Sequence, residues 1–269
     1  MSISAVLFLF LTHLGLGVAF TLPLVSRQAG VKFFRFNAGL ALVFLILALA
    51  ALPPEMAVWG TPGRVATGAV VVATGALLIY WMTIGRGLVA IRPWLLRAAV
   101  LSGLACLTLQ AIAIAAGRGP LWQALTIASF LTSAGLLGGA CTAMILGHWY
   151  LVIPPLDVSL LQSMVKLHIG STLLRIVLVA GVVFVAIATW QPGTGPRFDR
   201  YVLSISGVFF WQRILFGLFG PALLSYLTWE TAKIRSTQST TGILYVDFFT
   251  VMVGEILAKY LLLSTSVPV

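Results

Sequence analysis

The sequence predicts an all-α polytopic transmembrane bundle of about eight spans, as a single integral-membrane domain over residues 1–269. Three observations carry that reading. The chain is 60% hydrophobic and only 8% charged, with a mean hydropathy of +1.09, whereas a soluble domain carries about a quarter charged residues. Apolar runs near the length needed to cross a bilayer, roughly 20 residues, fill almost the whole chain. The polar breaks between them are on the order of a dozen residues at most, too short to fold alone.

The runs lie near 3–25, 36–52, 65–84, 95–116, 122–153, 159–190, 201–228 and 240–264. The first has no Lys or Arg between Met1 and Phe20 and outlasts a signal-peptide core, so it reads as a retained span. Pro53-Pro54 and Pro154-Pro155 mark turns because proline cannot continue a helix. Gln191 to Pro196 reads as a flexible loop. Trp59, Trp94, Trp122, Trp149, Trp190 and Trp229 fall at span ends, where an aromatic belt sits at the membrane interface. In the fifth run, Gly135 and Gly139 have the GxxxG spacing that lets helix backbones approach, which makes this helix central. Phe219-Gly220-Pro221 is the best candidate kink in the seventh run.

Loop charge orients the bundle. Arg27, Lys32, Arg35, Arg86, Arg92, Arg97, Lys233 and Arg235 lie toward one face, and Arg64, Arg118, Arg197 and Arg200 toward the other. The positive-inside rule makes the first face cytoplasmic and both termini outward, as expected for a bacterial inner-membrane protein. The net charge of +10 thus sets topology and does not imply nucleic acid. Arg86, Arg92 and Arg97 are ordinary topology-setting charge, or else they position a partner or anionic lipid. Cys106 and Cys141 fit no metal spacing and read as small buried apolar residues.

Ionisable groups inside spans are costly, so each is a functional candidate. His148 and His168 flank the Pro154-Pro155 turn on antiparallel helices, at similar depth in one leaflet. Such a pair can clamp a b-type haem through its iron, or bond a quinone carbonyl and carry protons. The bland alternatives are an interfacial helix end at His148-Trp149-Tyr150 and a shallow His168 behind an amphipathic Asp157–Lys166 stretch. His13, between Thr12 and two nearby glycines in mid-span, is either a cofactor ligand or one end of an interhelical hydrogen bond. Arg175 and Arg213 need acceptors: Asp247, Glu255, a haem propionate or helix-terminal carbonyls. Glu255 and Lys259 are four apart on one helix face, in the favourable order, and either neutralise each other or form a proton relay. Lys166 snorkels to the interface.

No Walker A loop, HExxH, GxSxG triad or paired aspartate motif is present. A standalone enzyme is therefore not expected. The leading expectation is a membrane subunit of a respiratory or photosynthetic electron-transfer complex that handles quinone, with or without haem b. Catalysis would then need a partner with redox centres, such as an iron–sulfur or cytochrome subunit, in a hetero-oligomeric complex surrounded by lipid. The alternatives are a small-solute or ion transporter, which would carry a broken helix near the midplane, and a structural subunit whose polar groups pair internally.

The closing segment, Val251-Met-Val-Gly-Glu-Ile-Leu-Ala-Lys-Tyr260, resembles the Gly-Glu plus basic-residue pattern late in the last helix of respiratory molybdoenzyme membrane anchors, of the dimethyl-sulfoxide-reductase and polysulfide-reductase type. The layout of about eight spans with outward termini is also similar. The resemblance covers the topology and some ten residues. It implies a quinone-linked subunit that docks an iron–sulfur partner, with Gly254, Glu255 and Lys259 as quinone-pocket or proton-path residues. Such anchors typically carry no haem, which departs from the three candidate ligands here.

Overall fold

The computed structural model describes residues 2–54, 60–153, 157–190 and 197–269. The predicted turn at Pro154-Pro155, the loop from Gln191 to Pro196 and Trp59 lie outside these residues. The described residues are helical throughout, with no strand among them.

The long helices are α1 (Ile3–Thr21), α2 (Gly30–Ala50), α3 (Gly60–Thr83), α4 (Arg92–Ile114), α5 (Pro120–Val152) and α6 (Val158–Ala188). A short α7 (Phe198–Val202) precedes α8 (Val208–Ile214), and α9 (Gly220–Lys233) and α10 (Thr237–Thr265) close the chain. A π-helical turn, Leu215–Phe219, joins α8 to α9 into one span. Among the described residues, seven helices are long and apolar enough to cross a membrane. The eighth long helix, α10, packs among them and carries Asp247, Glu255 and Lys259 on its buried side. This is an integral-membrane bundle of seven to eight spans, as the composition predicts. The seventh span begins at Val208, later than the hydropathy run suggests, because Phe198–Val202 forms a separate helix ahead of it.

Two helices form the centre. Over an 18-residue apolar stretch of each of these seven spans, the buried share is 67% in α1 and 78% in α5, and at most 39% in the other five. Lipid-facing apolar residues account for the low values, since a membrane solvates them. The close approach between α1 and α5 does not use the Gly135/Gly139 pair. A Cβ on Gly17 would run into the Ala134 carbonyl and Gly138, and one on Gly138 would run into Gly17. Gly135 and Gly139 instead face Ser171 and His168 of α6 at ordinary contact distance. Small residues here let backbones meet, as expected in a bundle held by packing rather than by a hydrophobic driving force.

The helix ends follow the sequence chemistry. Ser2 caps α1 by accepting from the Ala5 N–H at 3.2 Å. Asp157 caps α6 by accepting from Ser159 N–H at 3.0 Å. The Tyr150 hydroxyl donates to the Asp157 carbonyl, tying the end of α5 to the start of α6. The 157–166 stretch is thus the opening of a continuous 31-residue α6, not a separate surface helix. Arg92 donates to the Thr83 and Gly87 carbonyls at 2.6 and 2.8 Å and closes the α3–α4 turn.

Cations stack on the interfacial tryptophans: Arg35 on Trp81, Arg97 on Trp94, Arg118 on Trp122, and Arg197 on Trp190. Lys166 and Lys233 both lie over Trp229 at 5.2 and 5.3 Å, so Lys166 does reach the interface.

The apolar interior is divided. A large core takes in α1 to α5 and α6 as far as Val165, and a smaller one begins on α6 at Val179. Between Val165 and Val179 the buried face of α6 carries His168, Thr172 and Arg175. The ionisable groups occupy this layer.

Candidate functional site

The cluster is built around Glu255 on α10. Residues 247, 251, 255 and 259 recur every four positions, so Asp247, Val251, Glu255 and Lys259 form one stripe, and all four are buried. That stripe faces α5 and α6. Glu255 Oε1 accepts from Arg175 Nε at 3.1 Å and from Arg213 Nη2 at 2.9 Å. Its Oε2 accepts from Ser133 Oγ at 2.5 Å, Lys259 Nζ at 3.1 Å and Arg175 Nη2 at 3.3 Å. Arg175, Arg213 and Glu255 are fully buried, and Lys259 nearly so.

Arg175 uses its remaining donors on α5. Its Nη1 donates to the Ser129 hydroxyl at 2.7 Å, the Ser129 carbonyl at 3.0 Å and Thr132 Oγ1 at 3.3 Å. Its Nη2 also reaches the Val269 carbonyl at 3.4 Å. Arg213 is less satisfied. Its Nε and Nη1 are buried and have no hydrogen-bond partner among the described residues. Its guanidinium threads between two glycines. A Cβ on Gly217, in the π-helical turn, would overlap Arg213 Nη1, and a Cβ on Gly254 would overlap the Gly217 backbone. The Gly254-Glu255 pair in the sequence thus has a steric reason: glycine at 254 gives Arg213 its path to the carboxylate.

His13 joins through Ser133. Its Nδ1 lies 3.1 Å from Ser133 Oγ, which also accepts from Lys259 Nζ at 2.5 Å. A serine hydroxyl has one proton and two acceptor sites. The proton goes to Glu255, so Lys259 and His13 fill the acceptor sites and His13 carries its proton on Nδ1. This leaves Nε2 as a buried acceptor with no partner among the described residues. The Phe130 ring stands edge-on to the imidazole at 4.6 Å. By formal charge, three basic side chains face one carboxylate, so Arg175, Arg213, Lys259 and Glu255 together carry two positive charges in excess.

A second buried pair lies about 12 Å along α10, eight residues toward its start. His168 Nε2 approaches Asp247 Oδ2 at 2.6 Å, with both side chains fully buried. The approach is close but is not aligned as a hydrogen bond, and neither side chain bonds any other group among the described residues. Thr172 donates to the His168 carbonyl at 2.9 Å and stands between the pair and Arg175. A cleft of about 230 Å³, lined by Thr172, Ser225 and Tyr226 among others, opens between α6 and α9 at that level.

Five of the seven candidates from the sequence therefore meet: His13, Arg175, Arg213, Glu255 and Lys259. His148 and His168 do not join them or each other. His148 is exposed and its Nδ1 lies 3.1 Å from the Tyr245 hydroxyl. Haem ligation through His168 Nε2 would displace its Asp247 contact, whereas the Tyr245 contact of His148 is on Nδ1 and leaves Nε2 free. No group of three or more His, Cys, Asp or Glu side chains arranged for a metal ion occurs among the described residues. Cys106 and Cys141 are buried free thiols, as expected.

Sequence reasoning offered Asp247 as one of several acceptors for Arg175 and Arg213; Glu255 takes both arginines and Asp247 stands against His168. It did not single out Ser129, Thr132, Ser133 or Gly217. The available signals were the four-residue recurrence along α10 and the matching Ser129/Ser133 spacing on α5, which puts two hydroxyls on one helix face. No protein-family model matches the chain, and no curated protein matches it.

Proposed function

We propose that this chain is the membrane subunit of an electron-transfer complex of a bacterial inner membrane, and that the Glu255 cluster holds the headgroup of a membrane quinone. One observation carries the reading. A site with two excess positive charges also presents unused, buried hydrogen-bonding groups: Nε and Nη1 of Arg213 and Nε2 of His13. A buried unpaired donor or acceptor costs about 1–3 kcal/mol, so such groups together favour a polar ligand. Quinone reduction places negative charge on a carbonyl oxygen, and fixed cations in a low-dielectric site stabilise charge where it develops. Electrons would come from a partner subunit bearing iron–sulfur or haem centres.

Glu255, which already accepts from five donors, holds Arg175 and Arg213 in place. Lys259 and Ser133 link it to His13, and this chain of proton-bearing groups leads to the quinone oxygen. The cleft between α6 and α9 opens beside Thr172, one helical turn from Arg175 on the side of the His168–Asp247 pair, and none of its lining residues belongs to the cluster. A haem b on His148 and His168 would need His168 Nε2 to leave the buried Asp247 carboxylate, so no step is routed through haem.

A second reading follows from the π-helical turn. Excess positive charge beside an irregular helix also suits a transported anion. Yet Leu215–Phe219 stays helical through Gly220-Pro221, without the unwound carbonyls a broken-helix transporter presents.

The test is titration of a short-chain quinone analogue into the purified protein, followed by tryptophan quenching, in wild type and Arg213→Lys. Lysine keeps the charge toward Glu255 but removes the spare donors. Saturable binding by wild type, weakened roughly tenfold in the variant as the loss of one or two hydrogen bonds implies, is expected. Equal binding by both, or no saturable binding by wild type, overturns the assignment. Anion uptake into proteoliposomes would support the transporter instead.

A further inference from the structure

A groove of about 640 Å³ on the basic face of the bundle has no part in the site above. It lies between α2, the end of α3 and the end of α5, and is lined by Lys32, Arg35, Phe36, Val43, Trp81 and Trp149 among others. Its two ends differ in chemistry. Lys32 and Arg35 stand in the first turns of α2, at the face rich in basic residues. Neither forms an ion pair with a carboxylate among the described residues. Val43 lies eleven residues further along α2, about 16 Å deeper at 1.5 Å per residue. The deep end is apolar.

The walls are preformed. Arg35 packs over the Trp81 ring at 5.4 Å. Gly39 makes room for that indole, since a Cβ there would fall 2.8 Å from Trp81 Nε1. Trp149 packs edge-on against Phe33, and its indole N–H is shielded from solvent without a hydrogen-bond acceptor.

We propose that this groove binds one anionic phospholipid of the cytoplasmic leaflet. The phosphate sits at Lys32 and Arg35, the ester region reaches the Trp149 N–H, and an acyl chain runs down Phe36 and Val43. Charge complementarity selects this occupant. Two uncompensated cations at headgroup level require an anion, and the long apolar floor behind them requires a chain attached to it. A neutral quinone would leave both cations unmatched, and a free phosphate would leave the floor exposed.

The test is native mass spectrometry of the intact protein released from detergent, after addition of dioleoyl phosphatidylglycerol or dioleoyl phosphatidylcholine. Phosphatidylglycerol adducts should dominate for wild type. The Lys32→Gln/Arg35→Gln variant should weaken them roughly thirtyfold, taking about fivefold for each basic side chain beside an anionic headgroup. Val43→Trp, which fills the exposed apolar end and leaves the charges intact, should reduce the adducts as well. Equal retention of the two lipids by wild type overturns the proposal, as does undiminished phosphatidylglycerol binding in the double charge variant. Because no residue of the Glu255 cluster is altered, the outcome is independent of the quinone assignment.

Discussion

Replacing Glu255 with Gln should be the most damaging single change in the cluster, and the damage should be asymmetric. The side chain keeps its shape but loses its charge. In the wild type each cation lies about 3 Å from a carboxylate oxygen: Arg175 at 3.1 Å, Arg213 at 2.9 Å and Lys259 at 3.1 Å. At an effective dielectric constant near 20, each unit-charge pair at ~4 Å is worth roughly 4 kcal/mol before desolvation is counted. Breaking a buried pair by removing one partner costs about 3–5 kcal/mol, because the remaining charge stays buried and uncompensated. Glu255→Gln strands three cations and should reach at least that range.

Lys259→Met removes one of the three and lowers the excess positive charge. It leaves Glu255 with both arginines and takes one donor each from Ser133 and Glu255, a loss of about 1 kcal/mol for each bond. Combining Glu255→Gln with Lys259→Met should be less destabilising than Glu255→Gln alone. Equilibrium unfolding in mixed micelles, followed by tryptophan fluorescence, measures all three. If Glu255→Gln lies within about 1 kcal/mol of wild type, or if Lys259→Met costs as much as Glu255→Gln, a charge-clamped cluster is the wrong description.

Three further predictions concern the supports of the site. Gly254→Ala should cost about 1–3 kcal/mol by overpacking and pull Arg213 off Glu255, whereas Gly68→Ala, where a Cβ meets open space, should be neutral or mildly stabilising in the same unfolding assay. A double-mutant cycle of His168→Gln with Asp247→Asn should give a coupling of about 1–3 kcal/mol; additive effects would mean the 2.6 Å approach is energetically empty. The Ser159 backbone N–H and hydroxyl hold the Asp157 carboxyl below its usual 3.8. Because the folded value is depressed, the cap is fully present above that usual value and is lost as pH falls through the depressed one. Protection factors at the start of α6, with the intrinsic pH dependence of amide exchange divided out, should therefore fall at acid pH in wild type, and should be low and flat with pH in Asp157→Ala.

The class of fold was readable because apolar run length is a direct consequence of bilayer thickness. Each of Arg175, Arg213, Glu255 and Lys259 was identifiable because charge is scarce in spans. Their joint arrangement was harder to read. Arg213 reaches Glu255 only because the π-helical turn and two glycines bring α8 against α10, and no pattern within α8 encodes a partner on another helix. Ser133 was hidden for a different reason. A serine in an apolar run is common and usually bonds its own backbone, whereas here it joins three ionisable side chains. His148 and His168 do lie at similar depth, against α10 residues two positions apart, but they differ in direction: one faces Tyr245 at the surface and the other Asp247 inside.

The charged stripe on α10 also bears on biogenesis. An Asp or Lys at the centre of a span raises its insertion free energy by about 2.5–3.5 kcal/mol, and α10 carries Asp247, Glu255 and Lys259 on one face. This helix is a poor client for insertion on its own hydrophobicity. Its counter-charges, Arg175 and Arg213, are synthesised earlier and wait in α6 and α8 without a carboxylate. Arrival of α10 brings Glu255 to both arginines at once. Synthesis of α10 is thus the step that supplies a carboxylate to both arginines, and a faulty α10 would leave them stranded in lipid.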